Sequence, residues 1–262
     1  MEIFVSSEFD IFAPRPLQSS VLETTVATYK PVDHGDPEFI VPDDNDTYID
    51  PKKLYVRGKL TNAIGADLDY TDCTDGTNNF LHSLFSQCTI ALNGENVTPA
   101  ADDYNSRAFF ETILTYGSDA AVLHLTNGFW YLDDGDIVPC DPTAEGVKNV
   151  GFVTRWKGLK QSKEVQLCGR LHSDIFNVPR FLPPGVRIQI RLTKARSSFY
   201  LMNKYAESKA VFKFLDAQLL VNRVRQSATV LLLHETAFSH KAVTRYNVTR
   251  IELKTFTFSG AS

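Results

Sequence analysis

"CGRLHSDIFNVPRFLPPGVRIQIRL" runs from Cys168 to Leu192, and its two halves pull the reading of the chain in different directions. The second half alternates: Val186, Ile188, Ile190 and Leu192 share one face, while Arg187, Gln189 and Arg191 share the other. That period of two marks a strand buried on one side. The first half sets His172, Ser173 and Asp174 side by side, residue types used in catalysis and metal binding. On an extended segment Arg170, His172 and Asp174 point one way and Ser173 the other. A Ser-His-Asp triad needs converging members, so the tripeptide is not a local triad. His172 and Asp174 would stand ~6–7 Å apart along one face, a spacing open to a metal pair. Such a site needs a further ligand, and the sequence nominates none. The expected role is therefore a polar or interfacial strand face.

The same pattern recurs outward from this stretch. "LYVRGKL" places Leu54, Val56, Gly58 and Leu60 on one face and Tyr55, Arg57 and Lys59 on the other. Eight runs read as strands, near 22–31, 37–42, 53–61, 86–93, 164–171, 186–193, 211–222 and 246–257. The run at 211–222 is nearly continuous in apolar residues, which predicts cover on both faces. In the last run the apolar phase slips between Leu253 and Phe256, as at a bulge. Asn93-Gly94 carries the signature of a type I′ hairpin turn.

Two helices are expected between strands. "DDYNSRAFFETILTYG" opens on an Asp cap and stops at Gly117, with Tyr104, Ala108, Phe109, Thr112, Ile113 and Tyr116 as its buried stripe. The second covers about Ser227 to Phe238, capped by Ser227, and a weaker one is read near Ala144 to Lys157. Eight antiparallel strands with long connections predict an all-β fold, an eight-stranded antiparallel jelly-roll sandwich with one or two helices in its excursions. Residues 1–20, with Pro14 and Pro16, read as an extended N-terminal arm, and 21–262 as a single jelly-roll domain.

Composition narrows the function. The chain has 262 residues, 43% of them hydrophobic, with 18 Phe and 10 Tyr, which excludes disorder and supplies a sizeable core. Lys plus Arg number 27 against 31 Asp plus Glu, a formal charge of −4, without the basic excess of a nucleic-acid binder. Two local basic sets, Arg187, Arg191, Lys194 and Arg196, and Arg223 with Arg225, are read as solvated faces. Cys73, Cys88, Cys140 and Cys168 lack zinc spacing and read as reduced thiols of an intracellular protein. The opening residues carry no run of signal-peptide type. No apolar stretch approaches the ~20 residues that span a bilayer. The sequons at Asn45, Asn96 and Asn247 are accordingly read as chance matches.

His82, among Phe80, Leu84 and Phe85, is expected to be a satisfied, partly buried histidine; His34, His124, His234 and His240 stand alone. Asp43 to Asp46 is read as an acidic turn, since the Gly and closing Glu of a calcium loop are missing, and Leu132 to Asp136 as an acidic loop, with weak calcium binding the lesser alternative. No phosphate-cradling glycine loop, H-E-x-x-H or G-x-S-x-G occurs. No catalytic, cofactor-binding or metal-binding residue is therefore nominated, and no cofactor is expected.

Four segments, in order, carry a resemblance: "NNFLHSLFSQCTIALNGENVTP", "YNSRAFFETILTYG", the stretch quoted first, and "RIELKTFTFSG". Together, from about Ser7 onward, they resemble the N-terminal part of the major capsid protein of Polinton/Maverick elements and adintoviruses. The resemblance implies a double jelly-roll virion protein and no enzyme. It also implies self-association into trimeric, pseudo-hexameric capsomers of an icosahedral shell around double-stranded DNA. Other capsid proteins, such as a penton protein, would be partners; no membrane contact is implied and direct DNA contact is left open. The location implied is the virion capsid, assembled in the host nucleus or cytoplasm and not secreted. Members continue past the last segment into a second jelly roll, which is absent here. Two alternatives stay open: a host-domesticated jelly-roll binding module, with Trp130 and Trp156 to line its cleft, and a cupin-like metalloprotein using His172.

Overall fold

Alternation of apolar and polar residues drives most of the chain into strands, and a computed structural model gives their arrangement. It describes residues 20–32, 35–69, 73–98, 103–135, 141–142, 149–178, 180–203, 209–248, 251 and 253–254, the side chains of 51 and 52 excepted. The strands are β1 (Val21–Tyr29), β2 (Glu38–Val41), β3 (Thr47–Thr61), β4 (Thr74–Gly76), β5 (Phe85–Leu92), β6 (Glu95–Asn96), β7 (Val165–Arg170), β8 (Ile188–Lys194), β9 (Leu201–Asn203) and β10 (Val211–Gln226). The helices are α1 (Phe80–Ser83), α2 (Tyr104–Thr115), α3 (Ser118–Val122), α4 (Val150–Leu159), α5 (Ser197–Tyr200) and α6 (Ala228–Ser239).

Eight strands form two four-stranded sheets, ordered β1-β10-β3-β7 and β2-β8-β5-β6. Every pairing is antiparallel. With the small β4–β9 ribbon set aside, the first, third, sixth and eighth strands make one sheet and the second, fourth, fifth and seventh the other. That alternation between sheets is the jelly roll. The sheets close on one core, in which Leu54, Val56, Leu219 and Val221 of one meet Phe39, Ile90, Ile190 and Leu192 of the other.

Seven of the eight expected runs coincide with sheet strands. The eighth does not: among the described residues of 246–257, none is in a strand, and the rest lie outside the described residues. The eighth jelly-roll strand is instead the two-residue β6, joined to β5 by Asn93 and Gly94 at φ 51° and 89°. Those are the positive angles a type I′ turn requires. β10 alternates buried with half-buried or exposed positions, so it is covered mainly on one face.

Helix α2 corrects its predicted stripe. Ile113 is half exposed, and Arg107 is buried in its place beside Tyr104, Ala108 and Thr112. Neither Asp103 nor Ser227 caps its helix through its side chain; the Ser227 carbonyl accepts from Val230 and Leu231 instead. The helix read near Ala144 starts at Val150, and residues 143–148 lie outside the described residues. So does nearly all of the arm, except that Ser20 O accepts from Ser227 N at 2.8 Å. No helix among the described residues is long and apolar enough to cross a membrane.

Candidate functional site

The strongest concentration of buried polar groups lies where the quoted stretch meets α2. β7 ends at Arg170, so Leu171 to Ser173 leave the sheet and Asp174 opens a 3-10 turn. The tripeptide is thus outside the sheet ladder, although Ser173 stays extended. His172 and Asp174 still serve a common partner surface, on α2. Its Arg107 and Glu111 stand one turn apart and face inward with Tyr104 and Ala108.

Arg107 donates from Nε and Nη2 to Glu111 Oε1 at 3.0 and 2.8 Å, and from Nη2 to Asp174. His172 Nδ1 bonds Glu111 Oε2 at 2.7 Å. The ring of His172 meets that of His82 edge to face, centroids 4.6 Å apart, and His82 Nδ1 pairs with Tyr104 Oη at 3.0 Å. His82 approaches β7 this closely because position 169 is glycine. A Cβ there would lie 2.7 Å from Leu81 Cδ2 and 3.0 Å from His82 Nε2.

Burial governs the electrostatics. It holds His82 well below the usual histidine range, helped by the neighbouring His172. It raises the Tyr104 hydroxyl and pushes the Cys88 thiol up to about 12. Burial also works to raise Glu111, but the bonds from His172 and Arg107 outweigh it and leave that carboxyl below its ordinary value. Desolvation pulls Arg107 down, yet Asp174 and Glu111 more than compensate and raise it. The result is a closed, internally paired network. Its nearest thiol is protonated, and Ser173, buried at 2% exposure, has an Oγ that hydrogen-bonds to no base. Among the described residues no three His, Cys, Asp or Glu side chains group to hold a metal. The arrangement clamps α2 to the end of β7, and its chemistry is that of an ionic lock.

A second polar knot sits under α4. Arg155, fully buried, donates to Gly76 O at 3.1 Å, Tyr131 O at 3.3 Å and Asp133 at 2.8 Å. Asp75 beside it is pushed up to about 8 by burial, against the pull of Arg155.

The sequence reading missed Arg107 and Glu111, although their i, i+4 spacing on the face of Tyr104 was a usable signal. His82 is satisfied as expected, and more fully buried. Asp44 holds an Asx turn through Asp46 N and Thr47 Oγ1, which fits the acidic-turn reading. Arg223 is not a solvated basic group. It donates to Tyr29 Oη, Asp44, Thr47 and Pro42 O, tying β10 to the loop before β3. Trp130 is buried against Phe109, and Trp156 lies under Lys160, so neither lines an open cleft. Cys73, Cys88 and Cys168 are free thiols; Cys140 and His34 lie outside the described residues.

No protein-family model matches the chain. The uncharacterized protein F54H12.2 of Caenorhabditis elegans is 22% identical over 234 residues, which cover 85% of this chain and 53% of that protein. The chain thus spans about half the length of that relative. Among solved structures it is similar to the PBCV-1 virus capsid, with TM-score 0.46 and 9% identity over 85% of this chain and 46% of that one. It is also similar to the Faustovirus major capsid protein, with TM-score 0.48 and 7% identity over 91% and 59%. Both are viral shell components. The jelly-roll assignment itself rests on the strand order described above.

Proposed function

We propose that this chain is a structural virion protein, the N-terminal jelly roll of a Polinton/Maverick-like major capsid protein, and that it works by self-association without catalysis. The observation that carries the reading is where the apolar surface lies. Large apolar side chains stand exposed on four elements: Leu22 and Val26 on the sheet-edge strand β1, Leu114 on α2, Val122 on α3, and Leu232 and Leu233 on α6. A monomer rarely leaves several such patches open, and a single dimer contact would cover only one. A subunit that tiles needs contacts on several flanks. The ordered sequence resemblance supports the same reading and adds the trimeric capsomer, a penton-type partner and the virion as location. Inside the jelly roll the polar network acts as a lock that keeps the α2 excursion rigid for such contacts.

The test is sedimentation velocity with negative-stain imaging of the product of the complete gene. Trimers or hexagonally outlined particles are expected. A monomer at every concentration, with no particle formed, would overturn the proposal.

A further inference from the structure

A cleft of about 410 Å³ opens between α1, α2 and α5, on the side of α2 away from the ionic lock. Its lining includes Asn78, Ser83, Asn105, Ser106, Phe110 and Phe199, and among the described residues it holds no lysine, arginine or carboxylate. These residues therefore offer a charged ligand no counterpart.

The polar groups are fixed rather than adaptable. Asn78 is committed to the adjacent wall: Nδ2 donates to Tyr131 O at 2.6 Å and Oδ1 accepts from Tyr131 N at 3.0 Å. Ser83 Oγ donates to the carbonyls of Asn78 and Asn79 at 3.2 and 3.1 Å, which leaves its lone pairs as acceptors. Asn105 is only 8% exposed. Its Oδ1 accepts from Ser106 N at 2.7 Å and from Ser106 Oγ at 3.4 Å, while Nδ2 has no acceptor among the described residues. That amide keeps two donors for an acceptor that enters the cleft.

The apolar part of the lining is aromatic and half open. Phe110 and Phe199 are 51% and 46% exposed. Phe110 is backed by Phe109, which in turn packs on Trp130, so its ring is held in place from below. A pyranose presents the two matching surfaces: a flat C–H face for a ring, and an equatorial girdle of hydroxyls that both donate and accept.

We propose that this cleft binds a neutral saccharide unit, its C–H face against Phe110 and its hydroxyls on Asn105, Ser106 and Ser83. The inference stands apart from the capsid reading, since it depends on neither assembly nor a second domain. The test uses the full chain and saturation-transfer NMR with methyl glycosides of glucose, galactose, mannose and N-acetylglucosamine, alongside N-acetyl-phenylalanine amide. At least one glycoside is expected to bind saturably at millimolar concentration. Phe110→Ala and Asn105→Asp are each expected to weaken it about tenfold or more. Phe110→Ala removes a half-exposed ring and leaves the fold intact. Asn105→Asp keeps the shape, suits the first turn of α2, and turns the donor into an acceptor. Absence of saturable binding by every glycoside overturns the proposal. So does an affinity that neither substitution changes, or binding of the phenylalanine amide alone, which would mark an apolar peptide site.

Discussion

Replacing Arg107 with Met tests whether the lock beneath α2 holds the excursion in place. The side chains of Arg107, Glu111 and Asp174 are 9%, 12% and 9% exposed, so the guanidinium neutralises two carboxylates that water barely reaches. Methionine fills most of the volume but takes the guanidinium from both carboxylates, leaving Glu111 with His172 alone. Removing one partner of a buried pair costs about 3–5 kcal/mol, most of it from the charge left behind. For a domain of more than 150 residues each kcal/mol is worth ~2–4 °C, so the midpoint should fall by about 6–20 °C. The pH dependence gives an independent check. In the parent, Glu111 is held below its ordinary value of 4.5, so its contribution is present above that value and fades as pH falls through the lower folded one. Without Arg107 the carboxyl loses part of what holds it down, the His172 bond remaining, so the variant's deficit should grow with pH and shrink in mild acid. Calorimetry between mildly acid and neutral pH reads both effects. Arg107→Met/Glu111→Gln/Asp174→Asn, which leaves no charge behind, should recover more than half of the loss at neutral pH. A deficit below about 1 kcal/mol, typical of an exposed pair, would refute the reasoning, as would one independent of pH.

Three further outcomes are expected. Asp75→Asn should flatten the pH dependence of stability: the Asp75 carboxyl is pushed up to about 8, so the folded chain keeps a proton that the unfolded chain releases from about 3.8 upward, and the parent loses stability as pH rises across that window. Parallel midpoint curves for parent and variant from pH 4 to 9 would sink this. Gly169→Ala should cost about 1–3 kcal/mol in urea unfolding, because the added methyl meets Leu81 and His82; an unchanged midpoint would mean that α1 shifts freely. Leu232→Glu with Leu233→Glu should leave the thermal midpoint within about 2 °C of the parent, since both residues are exposed, yet reduce self-association in sedimentation velocity. Unchanged association would remove α6 from the set of contact surfaces.

The sandwich was legible because its strands bury one face each. In β8, Ile188, Ile190 and Leu192 are buried and Arg191 exposed, as the period of two requires. β6 escaped notice because two residues carry no period, and only the turn preceding it had a signature. The run at 246–257 showed the opposite failure: its described residues carry the apolar pattern but join no ladder. The site was harder to read. His172 and Asp174 drew attention as neighbours in sequence, but what they do is set by Arg107 and Glu111, more than 60 positions earlier. Helical periodicity weighs apolar residues, so it placed Ile113 inside and left the charged pair out. Ion pairing across the fold reversed that order.

The position of β10 has a kinetic side. β1 ends at Tyr29 and β3 at Thr61, yet the strand that lies between them begins only at Val211. At ribosomal rates of ~5–20 residues per second, both earlier strands leave the exit tunnel about ten to thirty seconds before their shared neighbour exists. For that interval the edges they present to β10 have no native partner, and the contacts that finally close the sheet are among the most distant in the sequence. A slow, late-closing fold of this kind invites cross-pairing between nascent chains. Production of the protein is therefore expected to respond to chaperones and to translation speed more than its finished stability would imply.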